Sequence, residues 1–490
     1  MSKIAILLIL ILAALLRFLT LPKLLTFTAD EAYLSYIAQT IIKDFHIIWI
    51  GWSALGFDVY LGPFWIYIFS PFLMLSRGDP IVLGYLNSSL GVASVFLLYW
   101  IGKKIFSEKI GLVASLLYAV LPLVVYYDQK PYPPGVPLLA LVMTASLYMA
   151  RYSGKWWLLF SVAYGMVFHT HLSLLLIILV AFYWAWLHRK LLDKKIVFTS
   201  ILIFIMIVSP LIAFDYFHKG SNITAPLRAL EAFRSDRGNS QIINHASTLY
   251  QSLGRIFYLK PFSQAGDEIS PACTTSSSST FTISPAWVST LASLLLFYFM
   301  LSKNTWKDKN RRLLALLSLS FLVPFILLTI INPVEYYLLG FFPLFFLIIA
   351  IVIQKLKTPF NYLAHLLIFI AVLLGILTIV TAKGDFGLAA KQRLISRVMY
   401  AIDGDSFYLT TVGDCQDTGG WRYLFSVYGR RPLQSSEDIT FGWLYPDELS
   451  KEKYKYSVII KESRAPATVR TGYKFAIEEG GFTAYIFESH

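Results

Sequence analysis

Charged residues are scarce in this chain, and the shortage excludes an ordinary soluble domain. Only 14% of its 490 residues are Asp, Glu, Lys or Arg, whereas 57% are hydrophobic. A soluble protein carries about 25% charged residues. The hydrophobic residues form repeated runs of about 18 residues or more, a length that crosses a bilayer. The sequence therefore predicts an α-helical polytopic membrane protein embedded in a lipid bilayer.

Cysteine is nearly absent as well, which limits the cross-links and metal sites that the chain can build. Cys273 and Cys415 are the only two, and two cysteines exclude a disulfide framework and a thiolate metal cluster. Both lie in segments that are predicted to be outside the membrane. One disulfide between them and two unpaired thiols therefore stay as alternatives.

Acidic residues are fewer than basic ones, 29 against 42, and the formal net charge is +13. The basic residues gather in short loops between apolar runs, at 103–109, 151–155, 188–195, 303–312 and 355–357. This distribution is typical of the positive-inside rule, by which loops rich in Lys and Arg face the cytoplasm. The charge therefore predicts orientation, and no nucleic-acid partner is expected.

Apolar runs fill residues 1–384 and predict about 11 to 13 transmembrane helices. The runs lie approximately at 4–21, 62–76, 81–101, 110–127, 136–150, 156–168, 171–187, 196–213, 284–302, 312–332, 335–354 and 362–381. Two polar insertions, at about 22–61 and 214–283, are predicted to be outward loops. After residue 385 the runs become short and alternating, as in "SFYLTTV", "WRYLFSVYG", "YSVIIKE" and "TAYIFES". These runs predict the strands of a small extracytoplasmic α/β domain over 385–490.

One conflict arises between this orientation and the positions of two acids. Three apolar runs separate Asp30 from Asp128, so the two acids lie on opposite sides of the membrane if every run crosses it. The run at 62–76 has about 15 residues, whereas a crossing helix needs about 20. Either this run crosses incompletely or one boundary differs from the prediction.

An acidic pair, Asp30 and Glu31, follows closely on the first apolar run in "LTFTADEAYLSYIAQTI". Thr28 and Glu31 match the S/T-x-x-E pattern of a capping box, in which the acid at the third helical position reaches back to the helix start. A structural role explains Glu31 well but accounts less well for Asp30. The apolar residues that follow recur at helical spacing and predict a helix lying in the membrane interface. They are Tyr33, Leu34, Ile37, Ala38, Ile41 and Ile42.

The N-terminal half carries several features in a fixed order. They are "ADEAYLSYIAQ", the proline-bearing "DVYLGPFWIYIF", "GYLNSSLGVASVFLLYWIGKKIFSEKIGLVASLLYAVLPLVVYYD" and the later "PVEYYLLGFFPLFFLIIA". This order resembles the C-superfamily (GT-C) membrane glycosyltransferases, above all the protein O-mannosyltransferase and aminoarabinose-transferase-like group, which uses polyprenyl-phosphate sugars. The resemblance covers about residues 1–215 well and 284–381 loosely. The chain departs from the pattern at "YYDQKPYPP", where one acid stands in place of a pair, and this weakens the expectation of a tightly held divalent metal.

The resemblance implies transfer of a sugar from a polyprenyl phosphate to an acceptor hydroxyl or amine, with inversion of the anomeric centre. Asp30 is then the general base, while Glu31 orients the helix or a sugar hydroxyl. The candidate cations for the donor phosphate are Lys130, His169, His171, Arg255 and Lys260. The candidate substrate or metal ligands, chosen because acids at a membrane boundary are costly, are Asp128, Asp58 and Glu335.

These assignments have structural alternatives. The two histidines are equally compatible with packed interfacial residues, and Asp128 with a helix end before a proline-rich segment. A divalent cation, Mg²⁺ or Mn²⁺, is compatible with the acids but is not required by them.

The predicted enzyme lies in the cytoplasmic membrane with its active site on the extracytoplasmic face. Its expected partners are a polyprenyl-phosphate sugar donor and a protein, lipid or glycan acceptor. Two other functions stay open: a lipid-linked sugar flippase or transporter, and a lipid-linked oligosaccharide ligase or polymerase. The ionisable residues stand at span ends and in loops, whereas transporters place polar groups near the midplane. That position favours the transferase.

Overall fold

The computed structural model describes residues 2–54, 59–225, 239–259, 284–327, 333–413, 419–463, 465 and 468–489. The helices of the membrane part are α1 Ser2–Phe18, α2 Leu21–Leu24, α3 Ala29–Asp44, α4 Phe64–Leu75, α5 Ile81–Ile105, α6 Glu108–Val120, α7 Pro122–Gln129, α8 Val136–Ala150, α9 Trp156–Thr170, α10 Ile177–Leu187, α11 Lys194–Phe217, α12 Asn239–Arg255, α13 Ala286–Leu301, α14 Lys303–Lys307, α15 Lys309–Leu327, α16 Phe342–Gln354 and α17 Phe360–Thr381. A two-stranded ribbon, β1 Ser53–Ala54 and β2 Val59–Tyr60, precedes α4.

The predicted polytopic helical fold is confirmed. By length and composition, four of the described helices can each cross a bilayer: α5, α11, α15 and α17. The pair α6 and α7, which is bent by 66°, gives a fifth crossing if the two helices together form one broken span. Eleven crossings result if α1 and the shorter apolar helices α8, α9, α10, α13 and α16 also cross. The five basic loops then all fall at one end of the bundle, because each follows an even-numbered crossing.

The short helix α4 resolves the orientation conflict. Its 12 residues extend about 18 Å, too little for a bilayer core of about 30 Å. Gly62 at its start donates a hydrogen bond to the Phe168 carbonyl at 2.8 Å, and the turn at its end accepts one from Tyr423 of the C-terminal domain. Only α5 and the α6–α7 pair therefore cross between Asp30 and Asp128. The two acids lie at the same end of the bundle.

Two hydrophobic cores organise the molecule. The larger one fills the helical bundle, and the second joins α2, α3, α4 and the beginning of α5 to the C-terminal domain. Helix α3 therefore packs inside protein, and residues 31–38 are all buried except Tyr33. The prediction of an interfacial helix was wrong, because apolar periodicity marks a face that must be covered and does not say whether lipid or protein covers it.

The C-terminal domain has helices α18 Leu388–Ala401, α19 Trp421–Tyr428 and α20 Asp438–Phe441, and strands β3 Phe407–Val412, β4 Gln434–Ser435, β5 Tyr456–Glu462, β6 Phe475–Glu479 and β7 Phe482–Glu488. The strands form one mixed sheet in the order β4-β3-β5-β7-β6. β3 pairs in parallel with β4 and β5, whereas β7 pairs antiparallel with β5 and β6. The domain therefore contains both helices and strands, as predicted, and three of the four predicted strands are present as β3, β5 and β7.

The fourth predicted strand, "WRYLFSVYG", is helix α19, so that interpretation was wrong. Trp421, Leu424 and Phe425 are buried, and their spacing of three and four residues places them on one face of a helix. Gly420, with φ of +90°, provides the left-handed turn that starts the helix. The run is rich in aromatic residues, which favour strands, but the glycine turn and the packing of one helical face prevailed.

Candidate active site

The segment before the acidic pair is held by the C-terminal domain. Leu25 and Phe27 lie in extended chain, so their carbonyls need partners from elsewhere. Leu388 donates its backbone N–H to the Leu25 carbonyl at 2.8 Å, and the Lys391 ammonium donates to the Phe27 carbonyl at 2.6 Å. A side chain at Gly419 would collide with Ala29, because an added Cβ comes within 2.5 Å of the alanine Cβ. The C-terminal domain thus sets the position at which α3 begins.

Glu31 is committed to the start of α3. Its carboxylate accepts hydrogen bonds from the Thr28 backbone N–H at 2.9 Å and from the Thr28 hydroxyl at 2.6 Å, and the predicted capping box is present. The residue is 1% exposed, and within the described part of the chain its Oε1 has no hydrogen-bond partner. Glu31 is therefore placed to fix the helix end and has little access to a substrate.

Asp30 is the acid of the pair that reaches the surface. It is half-buried, like Ala29 before it, whereas Thr28 and Glu31 are buried. Tyr33 is three residues further along and lies on the same helix face. Burial, followed by the neighbouring Tyr60, raises the pKa of Tyr33 to about 12. Its phenol therefore stays protonated at neutral pH and is available as a hydrogen-bond donor beside Asp30.

Asp128 forms a buried ion pair with Arg17, a residue that the sequence reasoning did not select. The Arg17 Nη2 and Nε atoms lie 2.7 and 2.9 Å from Asp128 Oδ2, and Tyr118 donates its hydroxyl to Oδ1 at 3.2 Å. The two charged residues are 0% and 4% exposed. An arginine inside the first apolar run was the signal that could have revealed this pair, because intramembrane charges are rarely unpaired.

Arg17 also closes the break between α6 and α7. Pro122 has no N–H, so the carbonyls one turn earlier lose helical partners. Arg17 donates to the Tyr118 carbonyl at 3.1 Å and to the Ala119 carbonyl at 2.8 Å. The guanidinium thus joins α1, the broken helix and Asp128 in a single network.

Arg255 and Glu335 form a second buried pair. Arg255 Nε lies 2.9 Å from Glu335 Oε1, and Nη2 lies 3.2 Å from Oε2. Tyr127 donates its hydroxyl to the same Oε2 atom at 3.0 Å. Both charged side chains are 0% exposed, so the pair connects α12 to the segment before α16. A role for Arg255 in binding the donor phosphate now competes with this ionic bond.

The loop that follows Asp128 is held by Asn87 of α5. The Asn87 amide donates to the carbonyls of Tyr127 at 3.1 Å and Lys130 at 2.6 Å, and its oxygen accepts the Gly135 N–H at 3.0 Å. Lys130 is only 6% exposed. A small cavity of about 10 Å³ borders this loop and is lined in part by Asn87, Tyr127 and Asp128. It is far below the usual volume of a ligand pocket, about 300 Å³ or more, and Asp30 does not line it.

The two histidines make mostly local contacts. His169 Nε2 lies 2.8 Å from the Ile207 carbonyl, and its Nδ1 accepts the Phe64 N–H at 3.4 Å. His171 Nδ1 accepts the Ser173 N–H at 3.2 Å and stands 2.8 Å from the Ser173 hydroxyl. Within the described residues no group of three or more His, Cys, Asp or Glu side chains could hold a metal ion.

Four residues of the sequence predictions lie outside the described residues. They are Asp58, Lys260, Cys273 and Cys415. By the order of crossings given above, the remaining candidates fall at the end of the bundle opposite the basic loops. Hydrogen bonds join Arg17 to Asp128 and Tyr127 to Glu335 there.

Residues 60–214 match the sequence profile of the dolichyl-phosphate-mannose-protein mannosyltransferase family. No curated protein sequence matches the chain significantly. The structure resembles ArnT from Cupriavidus metallidurans bound to undecaprenyl phosphate, with a TM-score of 0.57 and 10% identity over 98% of this chain and 97% of that one.

The structure also resembles the Archaeoglobus fulgidus oligosaccharyltransferase in complex with zinc and sulfate. The TM-score is 0.53 and the identity 10%, over 94% of this chain and 68% of that one. A third similar structure is AglB from the same organism, in complex with an inhibitory peptide and a dolichol-phosphate. Its TM-score is 0.50 and its identity 11%, over 94% of this chain and 69% of that one. The resemblance to the GT-C glycosyltransferases is therefore confirmed, and for these distant structures it is a similarity of fold.

Proposed function

We propose that this protein is a membrane glycosyltransferase that moves a sugar from a polyprenyl-phosphate donor to an acceptor, with Asp30 as the general base. Two similarities support the donor class: the match of residues 60–214 to the mannosyltransferase profile, and the shared fold with structures that contain undecaprenyl phosphate or a dolichol-phosphate. The observation that carries the choice of base is the division of the acidic pair. Glu31 is buried in a helix cap, whereas Asp30 keeps access to the surface.

The chemical step requires a group that accepts one proton. The acceptor oxygen (or nitrogen) attacks the anomeric carbon and gives its proton to the Asp30 carboxylate. The bond between the anomeric carbon and the phosphate oxygen breaks, and the lipid phosphate leaves with the bonding electrons. Attack from the face opposite the phosphate inverts the anomeric centre, so a single base suffices. Positioned bases of this kind contribute about 10²- to 10⁴-fold.

The leaving phosphate needs a cation beside it. Arg17 and Arg255 already face Asp128 and Glu335 in buried ion pairs. We assign the donor-phosphate contact first to Lys130, because it stands two residues after Asp128 in a loop anchored by Asn87. Lys260, His169 and His171 are secondary candidates. Asp128 and Glu335 act by holding the arginines and the loop in place, and neither is assigned a metal.

The C-terminal domain contributes by positioning the base. Tyr423 donates its hydroxyl to the Gly78 carbonyl at 2.7 Å and stacks on Phe27 with ring centroids 5.6 Å apart. Lys43 near the end of α3 lies 3.6 Å from Glu448. The domain therefore contacts α3 at both ends. The basic loops, at the opposite end, are assigned to the cytoplasm, and the active site to the extracytoplasmic face of the cytoplasmic membrane.

The similarity to an oligosaccharyltransferase and AglB favours a second candidate within the same chemistry, namely transfer of a larger lipid-linked glycan. The donor that the purified protein accepts distinguishes the two candidate functions. Purified protein would turn over a polyprenyl-phosphate monosaccharide under the main proposal, and only a lipid-linked oligosaccharide under the second.

The proposal is tested with purified protein, a radiolabelled polyprenyl-phosphate monosaccharide and a mixture of peptide, lipid and glycan acceptors. We expect Asp30→Asn to lower sugar transfer by about 10²-fold or more, with an unchanged thermal midpoint. Asp447→Asn, which neutralises an exposed acid of the C-terminal domain, is the matched control and should transfer sugar normally. If Asp30→Asn retained full transfer, Asp30 would not be the base. If wild-type protein translocated the lipid but transferred no sugar, the flippase would replace the enzyme.

A further inference from the structure

The excess positive charge of the chain lies entirely on one face. We call the loops 103–109, 151–155, 188–195, 303–312 and 355–357 the basic face. Together they contain sixteen Lys or Arg residues and three acids, so their net charge equals the +13 of the whole chain. The rest of the protein is neutral in sum. An uncompensated charge of this size on one surface attracts anions.

Side-chain and backbone contacts bring all five loops together. Arg151 donates to the Asn310 side-chain oxygen at 2.6 Å, and the Asn310 amide donates to the Ile105 carbonyl at 2.7 Å. The Gln354 amide, next to the last loop, donates to the Ser107 hydroxyl at 3.2 Å. The loop at 188–195 touches that at 151–155, because a Cβ added to Gly154 would collide with the Leu191 carbonyl. The charges therefore form one surface.

The three acids of the basic face do little to neutralise it. Glu108 pairs with Lys103 at 3.3 Å. Asp193 accepts the Ile196 N–H at 2.7 Å, and Asp308 accepts the N–H groups of Asn310 and Arg311 at 3.0 and 2.9 Å. These two acids cap helices, and sixteen cations against three acids leave the basic face with its net charge of +13.

Arg151 is held in a position suited to a phosphate. Its guanidinium carbon lies 3.9 Å from the ring centre of Tyr148 and 4.8 Å from that of Tyr152, and its Nη2 donates to the Tyr152 hydroxyl at 2.8 Å. All these partners are neutral. Its Nε is buried and faces away from the surface. Among the described residues, however, Nη1 and Nη2 each use one of their two N–H groups on Asn310 and Tyr152. The remaining N–H groups of this half-buried guanidinium match the bidentate binding of a phosphate.

Further cations surround Arg151. Lys309 directly precedes Asn310, which accepts a hydrogen bond from Arg151. Desolvation lowers the pKa of His188, and the charges of Lys309 and Arg151 lower it further. Tyr148 donates its hydroxyl to the Lys104 carbonyl at 3.1 Å, so the end of α5 lies beside the same pocket. Lysines on two neighbouring segments therefore add to the attraction of Arg151 for an anionic group.

Exposed aromatic residues surround the basic face and indicate its depth in the membrane. Tyr152 and Trp186 are each 60% exposed and Trp306 is 39% exposed, and the Arg189 guanidinium lies 5.9 Å from the Trp186 ring centre. Tyr and Trp concentrate where the hydrocarbon meets the headgroups. The Arg151 cluster therefore lies at the level of lipid phosphates, which favours a membrane lipid over a soluble partner.

We propose that Arg151, with Tyr148, Tyr152, Asn310 and Lys309, forms a binding site for the phosphate of an anionic membrane phospholipid. The positive-inside rule explains why the loops carry positive charge. It does not require an arginine that is stacked on two tyrosines and keeps N–H groups for a further acceptor. Basic pockets between transmembrane helices bind acidic headgroups. The site is distant from the proposed active site and is independent of the sugar-transfer proposal.

The test is native mass spectrometry of the purified full-length protein with phosphatidylglycerol or phosphatidylcholine. We expect the wild type to retain phosphatidylglycerol preferentially and Arg151→Gln to lose about tenfold in affinity, because hydrogen bonds to charged groups are the strong ones. Arg311→Gln removes an equal charge from the same face but leaves the stacked arginine, and should change affinity less than twofold. Arg151→Lys, which keeps the charge but loses the planar fork, should be intermediate.

Several outcomes would overturn the proposal. Equal retention of the two lipids, or an equal loss in Arg151→Gln and Arg311→Gln, would mean that no site is centred on Arg151. Competition by glycerol 1-phosphate at the same concentration as the lipid would assign the site to a free phosphate compound. Displacement of the lipid by an acidic peptide would assign the surface to a protein partner. The thermal midpoint of each variant in neutral detergent shows whether it is folded, and Lys309→Gln provides a second variant that should weaken binding if Arg151→Gln is unstable.

Discussion

Arg255 and Glu335 stand 80 residues apart and form a bidentate ion pair with no exposed surface on either side chain. Tyr127 donates a third hydrogen bond to the same carboxylate. Two residues that the sequence offered as separate ligands thus neutralise each other. The pair joins the described helix of the long loop to the segment that leads into α16.

The Arg255–Glu335 pair should matter for stability chiefly because loss of either partner leaves the other as an unpaired buried charge. Removing one partner of a buried pair costs about 3–5 kcal/mol, whereas replacing both with apolar residues is often neutral. We expect Arg255→Met and Glu335→Leu each to lower the thermal midpoint sharply, and the double variant to recover much of the loss. A double variant whose loss equals the sum of the two single losses would contradict the ionic coupling.

Arg17 should not be replaceable by lysine. Its guanidinium bonds Asp128 and the carbonyls of Tyr118 and Ala119 at the same time, and a lysine ammonium lacks the planar fork that reaches these acceptors. Arg17→Lys should therefore lower the thermal midpoint nearly as much as Arg17→Met. The check is a melting curve of purified protein in detergent. If the lysine variant melts like the wild type, the guanidinium bonds to the carbonyls at the α6–α7 break do not stabilise the fold.

Tyr423 should act as a positioning residue for Asp30. Its hydroxyl donates to the Gly78 carbonyl at 2.7 Å and accepts the Gln39 amide at 3.3 Å, so it connects α3 to the turn after α4. We expect Tyr423→Phe to cost about 1 kcal/mol in stability and to lower kcat more than it raises the donor KM. Tyr408→Phe changes a tyrosine that stacks on Tyr454 elsewhere in the same domain and is the control. Equal kinetics in the two variants would leave Tyr423 with a structural role only.

Glu437 should make the C-terminal domain sensitive to pH. Burial raises the pKa of its carboxyl group to about 7, although the N–H groups of Arg422 and Gly420 oppose the shift. Because the folded-state pKa lies above the usual 4.5, stability is full below about pH 4.5 and falls as the pH rises through 7, by up to roughly 3 kcal/mol. Melting curves between pH 5 and 8 should show this decline in the wild type and a flatter profile in Glu437→Gln. Identical profiles would exclude Glu437 as the cause.

The sequence by itself determined the features that depend on neighbouring residues. The apolar runs match the observed helices closely, since hydropathy and length are local properties. The capping box of Thr28 and Glu31 needs only four consecutive residues, and three of the four predicted strands need only alternation. The charge of the basic loops is likewise a count along the chain. For these reasons the helical membrane fold and the acidic pair on α3 could be predicted from local patterns alone.

The tertiary structure alone decided what each charged or apolar residue faces. Arg17 meets Asp128 across 111 residues, and nothing in the local sequence selects that partner. Helix α3 has the pattern of an interfacial helix, but aromatic residues of the distant C-terminal domain bury it. A pattern specifies that a charge must be compensated and an apolar face covered. Which group compensates or covers it depends on long-range packing, and therefore only the folded chain distinguished the accessible Asp30 from its buried neighbour.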